Sequence, residues 1–198
     1  MTRVNIYKKG IRVLGIAESF RKGVSRKAIL VGIVMRGDFL IDGFNLGFTT
    51  VGGLDSTDKI IELYKNLNRT DIGAILLNGC IISWFNIVDL ERVFKDTRKP
   101  VICITYEESD GIDRYLMEYF PDSWKKRLEI HRRNGNRVRI LLKTRHQIYI
   151  QAKGISTRKA LILINKFTKN GAIPEPLRVA KIIANTINQK INKEISFG

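Results

Sequence analysis

Apolar positions fall first into runs with strand character. "IRVLGIAES" (11–19) is the first; "AILVGIVMR" (28–36) and "FLIDGFNLGFTTV" (39–51) follow. The last two flank Arg36-Gly37-Asp38, a turn sequence that predicts a hairpin. The period then changes. Behind Asp55 or Ser56 as N-cap, Ile60, Ile61, Leu63, Tyr64 and Leu67 recur at helical spacing. "DIGAILLNG" is a continuous apolar run closed by Asn78-Gly79, the pattern of a strand buried on both faces. "NIVDLERVFKDT" reads as an amphipathic helix with Asn86 as its N-cap, and "KPVICITY" as another short buried strand.

Three strands with antiparallel connections, then helix, strand, helix, strand, predict an α/β fold. The expectation is an RNase H-like mixed five-stranded sheet with helices on both faces. In that arrangement the ends of the first and fourth strands lie side by side, which makes Glu18 and Asn78 neighbours. Beyond Tyr106, "SDGIDRYLMEYFPDSWKKRLEIHRRNG" predicts one or two helices interrupted near Pro121. "NRVRILLKTRHQIYIQAKG" predicts a second hairpin turning at Thr144 to His146. A helix capped by Ser156 and ending at Gly171 follows, then a final helix from Pro176. No linker composition intervenes, so residues 1–198 read as a single domain. Its core is about 11–106 plus the C-terminal helix 174–192, with a basic helix/hairpin extension over about 107–171.

Charge adds a partner. The chain of 198 residues carries 35 Lys and Arg against 19 Asp and Glu, a net +16. Between Lys125 and Lys169 Glu129 is the sole acid. Such clustering suits phosphate binding, so nucleic acid is the expected partner, DNA before RNA, with a solvated basic surface as the plainer alternative. No apolar run reaches membrane-spanning length and the first ten residues lack a signal segment; a soluble, cytoplasmic protein is expected. Cys80 and Cys103 lack metal-site spacing and are expected as reduced core residues. The oligomeric state is not determined by the sequence, a homodimer included.

Carboxylates that converge at a sheet's centre can hold a divalent cation for phosphodiester hydrolysis. The candidates are Glu18, Asp42, Asp55, Asp58 and Asp89, although helix capping alone would account for Asp55 and Asp58. Trp84 and Phe85 either stack on a base or staple their loop to the core. Arg178, in the first turn of the last helix, opposes the helix dipole and so needs a partner: Glu175 or another acid, or a phosphate.

"RVLGIAESF", "VGGLDST", "LLNGCIISWFNIVDLERV", "KPVICITY" and "PEPLRVA" together resemble the archaeal endonuclease dU family, over about Ile11 to Asn188. The resemblance implies a fold related to endonuclease V and cleavage of DNA near deaminated bases, notably deoxyuridine. Endonuclease V carries an aspartate where this chain has Ala17, in Gly15-Ile16-Ala17, and another where it has Asn78 before Gly79. Glu18 stands one residue later, on the opposite strand face unless the strand ends or bulges there. The resemblance therefore implies Mg²⁺ or Mn²⁺ held by Glu18 and Asp55, with Asn78 completing the catalytic set. Arg132, Arg133, Arg137, Lys143, Arg145 and Arg178 would hold phosphates, with Trp84 or Phe85 as a wedge. The alternatives are a DNA- or RNA-binding protein that has lost the metal site, and an RNA-processing factor.

Overall fold

The computed structural model describes residues 5–108 and 111–196, with side chains through Ile191. Ser109 and Asp110, which open the segment read as helical, and the first four residues of the amino-terminal segment lie outside it, as do the side chain of Asn192 and the chain's last two residues.

Strands β1 (Arg12–Ser19), β2 (Lys27–Arg36) and β3 (Ile41–Thr50) form an antiparallel meander. Helix α1 (Ser56–Asn66) leads to β4 (Ile72–Asn78), which pairs parallel with β1. A small hairpin, β5 (Ile81–Ile82) and β6 (Asn86–Ile87), precedes α2 (Leu90–Thr97) and β7 (Val101–Thr105), which is parallel to β4. Helices α3 (Asp113–Tyr119) and α4 (Trp124–Arg133) flank Pro121. The hairpin β8 (Val138–Leu141) and β9 (Gln147–Lys153), then α5 (Thr157–Phe167) and α6 (Glu175–Ser196), complete the chain.

The sheet has seven strands, in the order β3-β2-β1-β4-β7-β9-β8, rather than the five expected. The second hairpin is no appendage: β9 pairs antiparallel with β7 and buries Ile148 and Ile150 in the main core. One face of the sheet packs on α5 and α6 through Val13, Ala17, Leu76, Leu163, Phe167, Leu177 and Ala180. The other packs on α1 and α2 through Leu14, Ile16, Leu77, Ile60, Leu90 and Val93. The period-2 alternation of β1 and β4 feeds both cores at once, which explains their near-continuous apolar sequence.

Two local expectations need correction. Cys80 and Cys103 are joined as a disulfide, because the chain leaving β4 runs beside β7 and brings their Cα atoms within 5.8 Å. The cap of α2 is Asp89, whose carboxylate accepts from the Arg92 amide, whereas Asn86 is buried before it. Among the described residues no helix is long and apolar enough to cross a membrane.

Candidate active site at the carboxyl ends of the parallel strands

In open α/β sheets, ligands meet the carboxyl ends of parallel strands. Here those ends belong to β1, β4 and β7. The β1–β2 register runs without a break through Glu18↔Leu30 and Ser19↔Ile29, so β1 neither ends nor bulges before Glu18. Ala17 faces the α6 side, and Glu18 points to the other. The parallel pairing of Ile16 with Leu77 brings the two strand ends level, and Glu18 and Asn78 line one small cavity of about 10 Å³. Ile16, Leu30, Ile60, Leu77 and Ile82 make the rest of that cavity largely apolar.

Glu18 is a strained carboxylate electrostatically. Its Oε2 is buried with no hydrogen-bond partner of good geometry among the described residues, and the nearby Ser83 Oγ is likewise buried without a well-aligned one. Burial pushes the Glu18 carboxyl up from its ordinary value; the Lys181 ammonium and the nearby Ser83 hydroxyl and amide pull it back only in part. Lys181 Nζ donates to the Glu18 backbone carbonyl at 2.6 Å. A desolvated carboxyl of this kind is suited to taking and returning a proton.

Asp55 is not among the residues that line this cavity and does different work. One oxygen accepts from Thr49 Oγ1 at 2.8 Å, the Thr50 amide at 3.0 Å and Asn86 Nδ2 at 2.8 Å. The other accepts from Thr50 Oγ1 at 2.8 Å and, at 3.2 Å, from the Thr50 amide. Burial opposes its charge, but these donors outweigh burial and hold the carboxyl at about 2. Asp55 occupies the N-cap position of α1 without capping it; instead Asn86 Oδ1 accepts from the Ser56 amide. Asp55 and Asn86 thus clamp the end of β3 to the start of α1.

The other acids are also engaged: Asp42 with Arg12 and Arg69, Asp58 with Arg92, and Asp89 with Arg133. Among the described residues no three His, Cys, Asp or Glu side chains come together as a metal-ligand set. Mg²⁺ demands near-octahedral oxygen coordination. One carboxylate in an apolar cavity, one amide and a carboxylate already saturated with hydrogen bonds do not fit that requirement as arranged.

The turn between β5 and β6 carries Trp84 and Phe85, expected either to stack on a base or to staple the loop to the core. Ser83, Trp84 and Phe85 all have positive φ (45°, 58° and 60°), a strained run for three residues with side chains. Their environment enforces it. Trp84 packs on Tyr119 and Phe120, and Phe85 on Tyr115, Tyr119 and Phe120. The buried guanidinium of Arg127 donates to the carbonyls of Gly52, Gly53 and Phe85 and stacks over Phe120. Trp84 and Phe85 are therefore stapled to α3 and α4, and the same staple holds Ser83 toward Glu18.

Beside this cavity a cleft of about 350 Å³ opens over the ends of β4 and β7, lined by Asn78, Thr105, Tyr106, His131, Arg137 and Gln151 among others. Asn78 belongs to both. Of the basic residues, Arg137 lines the cleft, whereas exposed Lys143 and Arg145 sit on the β8–β9 turn, which the Lys143 amide and Thr144 Oγ1 tie to Asn165 and the Gly171 carbonyl at the end of α5. Arg133 is committed to Asp89 (2.8 Å) and Glu129 (2.6 Å), Arg132 pairs with Asp113 at 3.4 Å, and Arg178 pairs with Glu175 at 2.6 Å. Sequence reasoning missed Ser83, Lys181, Arg127 and the clamping role of Asn86. The two polar loop residues, Ser83 and Asn86, stood out within an apolar stretch; Lys181 and Arg127 reach their partners only through long-range packing.

Residues 9–188 match the family described as Endonuclease dU. A UPF0215 protein of Pyrococcus horikoshii is 36% identical over 184 residues, covering 91% of this chain and 93% of its own length. The crystal structure of a protein of unknown function from Archaeoglobus fulgidus is similar with a TM-score of 0.76 and 30% identity, covering 89% of this chain and 97% of that one. The fold is also similar to that of Ciona intestinalis endonuclease V in complex with a 24mer DNA containing an inosine followed by a ribo-adenosine. In that case the TM-score is 0.61 and the identity 17%, over 92% of this chain and 88% of that one.

Proposed function

The chain belongs to the Endonuclease dU family, and from that premise and the site's geometry we propose that it is a nuclease acting on nucleic acid, with DNA carrying deaminated bases such as deoxyuridine as its substrate. The observation that carries the reading is Glu18: a desolvated carboxyl with an unpartnered oxygen at the end of the parallel strand pair. Such a group has an energetic cost that packing alone does not repay, the mark of a functional side chain. The cavity beside it has room for about one water. In the proposed hydrolysis Glu18 takes a proton from water as its oxygen bonds to phosphorus, and returns a proton to the leaving oxygen as the phosphodiester bond breaks. Asn78 orients the substrate where the cavity meets the cleft. Arg137, Lys143 and Arg145 hold phosphates. Cutting that needs Mg²⁺ or Mn²⁺ would recruit ligands beyond Glu18 and Asn78.

The test is cleavage of end-labelled oligonucleotides containing deoxyuridine, deoxyinosine, an abasic site or only normal bases. Each is incubated with Mg²⁺, Mn²⁺ or chelator, using the wild type and Glu18→Ala. Cutting lost in Glu18→Ala is the expected result; cutting unchanged in that variant removes Glu18 from the reaction. A second reading, a non-catalytic nucleic-acid-binding protein, draws on Ala17, Asn78 and the saturated Asp55. Salt-sensitive binding with no cutting under any condition would establish it, and matched RNA and DNA probes would identify its ligand.

A further inference from the structure

The sheet ends at β3, and among the described residues no strand pairs with its outer edge. The Val51 amide bonds to the Arg26 carbonyl, and the antiparallel alternation that follows turns the backbone groups of Phe44, Leu46 and Phe48 outward. Among the described residues the Leu46 amide meets only Asn45 Oδ1 of its own strand. The side chains of these three residues share one face, opposite Ile33, Val31 and Ile29 of the core cluster beneath α6. Helix α6 packs over β1 and β2, and Phe44, Leu46 and Phe48 remain 63%, 43% and 54% exposed. A core face thus runs on into solvent along an open strand.

Proteins usually guard such edges with lysine, proline or charge. β3 contains neither Lys nor Pro, and its one charged residue, Asp42, is tied to Arg12 and Arg69. No Lys or Arg lies anywhere between Arg36 and Lys59 in a chain with 35 of them. That stretch is unsuited to a phosphate backbone. It is also a place where the flanking cations are engaged as two copies of a +16 chain approach: Lys27 Nζ donates to Thr50 Oγ1 and Lys59 pairs with Glu62.

We propose that β3 is the seam of a two-fold homodimer, in which the β3 strands of two copies pair antiparallel and extend the sheet across both. The sequence is self-complementary about Leu46. With the axis there, Leu46 faces Leu46 of the partner subunit and Phe44 faces Phe48 of the partner subunit. All six apolar side chains then lie on one face. The contact is strand-sized, so the dimer dissociates in the micromolar range. It is independent of the nuclease reading.

The experiment is sedimentation equilibrium of the full chain, free of nucleic acid, from about 1 to about 300 µM. The wild type should pass from monomer to dimer across that range. Leu46→Lys sets two ammonium groups against each other at the axis and should raise the dissociation constant at least about tenfold. Phe44→Lys should also weaken the dimer. Phe44→Lys with Phe48→Glu pairs opposite charges twice across the axis and should recover most of that loss. Circular dichroism and melting curves verify that each variant is folded. A wild type that stays monomeric throughout overturns the proposal and leaves the stripe to another partner. A folded Leu46→Lys that dimerises like the wild type overturns it as well, as does a double variant that recovers nothing.

Discussion

Glu18 and Asp55 have the same chemistry and opposite environments. Glu18 is desolvated with an oxygen unpaired, so its folded pKa lies above the ordinary 4.5. The folded state therefore carries a penalty above that raised pKa, and the penalty disappears as pH falls below the unfolded value. Glu18→Gln should unfold at a higher urea concentration than the wild type at pH 7 and lose that advantage by about pH 4; equal midpoints at pH 7 would refute the desolvation argument. Asp55 is the reverse case, with its pKa depressed from 3.8 to about 2. Its contribution is present above the unfolded value and lost as pH falls through about 2. Asp55→Asn should cost about 1–2 kcal/mol at pH 7, allowing for the carboxylate's partial exposure, and much less near pH 2, read from denaturation at both pH values.

At the scale of elements, the site depends on how α6 crosses β1. A Cβ added at Gly15 would lie 2.6 Å from Pro176 Cβ and 2.7 Å from the Pro176 carbonyl carbon. Neither can yield without moving the helix, which also carries Lys181 to the Glu18 carbonyl. Gly15→Ala should cost about 1–3 kcal/mol by overpacking, measured by chemical denaturation; a stability change near zero would mean that α6 shifts freely. The disulfide ties the chain after β4 to β7 across a sequence separation of 23. Its reduction should cost about 3 kcal/mol, visible as a lower melting temperature in reductant. The turn 83–85 is held by tertiary contacts, since three successive positive φ values find no support in its own sequence.

For the whole molecule, the question is which cations are free to meet a polyanion. Arg133 is bound to two acids, whereas Arg137 lines the cleft and Lys143 and Arg145 are exposed on the β8–β9 turn. Replacing the latter three with alanine should flatten the salt dependence of duplex binding by about 0.9 in log–log slope for each phosphate that is no longer neutralised. Arg133→Ala should leave the slope unchanged and lower stability instead. Affinity measured across a salt series separates the two outcomes. The cation-free strand β3 lies at the opposite edge of the sheet from the β8–β9 hairpin, so polyanion binding and self-association would use separate surfaces.

The meander, the alternating helices and strands of the middle and the final two helices were legible in the sequence, because each rests on local periodicity and turn chemistry. So was the nearness of Glu18 and Asn78, because parallel pairing through a crossover connection aligns strand ends. The sequence alone also determined the charge imbalance and its concentration in residues 125–169. What it could not carry was the choice of partners among distant groups. Membership of β8 and β9 in the main sheet, the Cys80–Cys103 bond, the saturation of Asp55 by Thr49, Thr50 and Asn86, and the exposure of β3 all follow from three-dimensional adjacency. Periodicity tells a strand which of its faces is apolar; only the packed structure decides whether another element covers that face, and which side chains meet a carboxylate when it does.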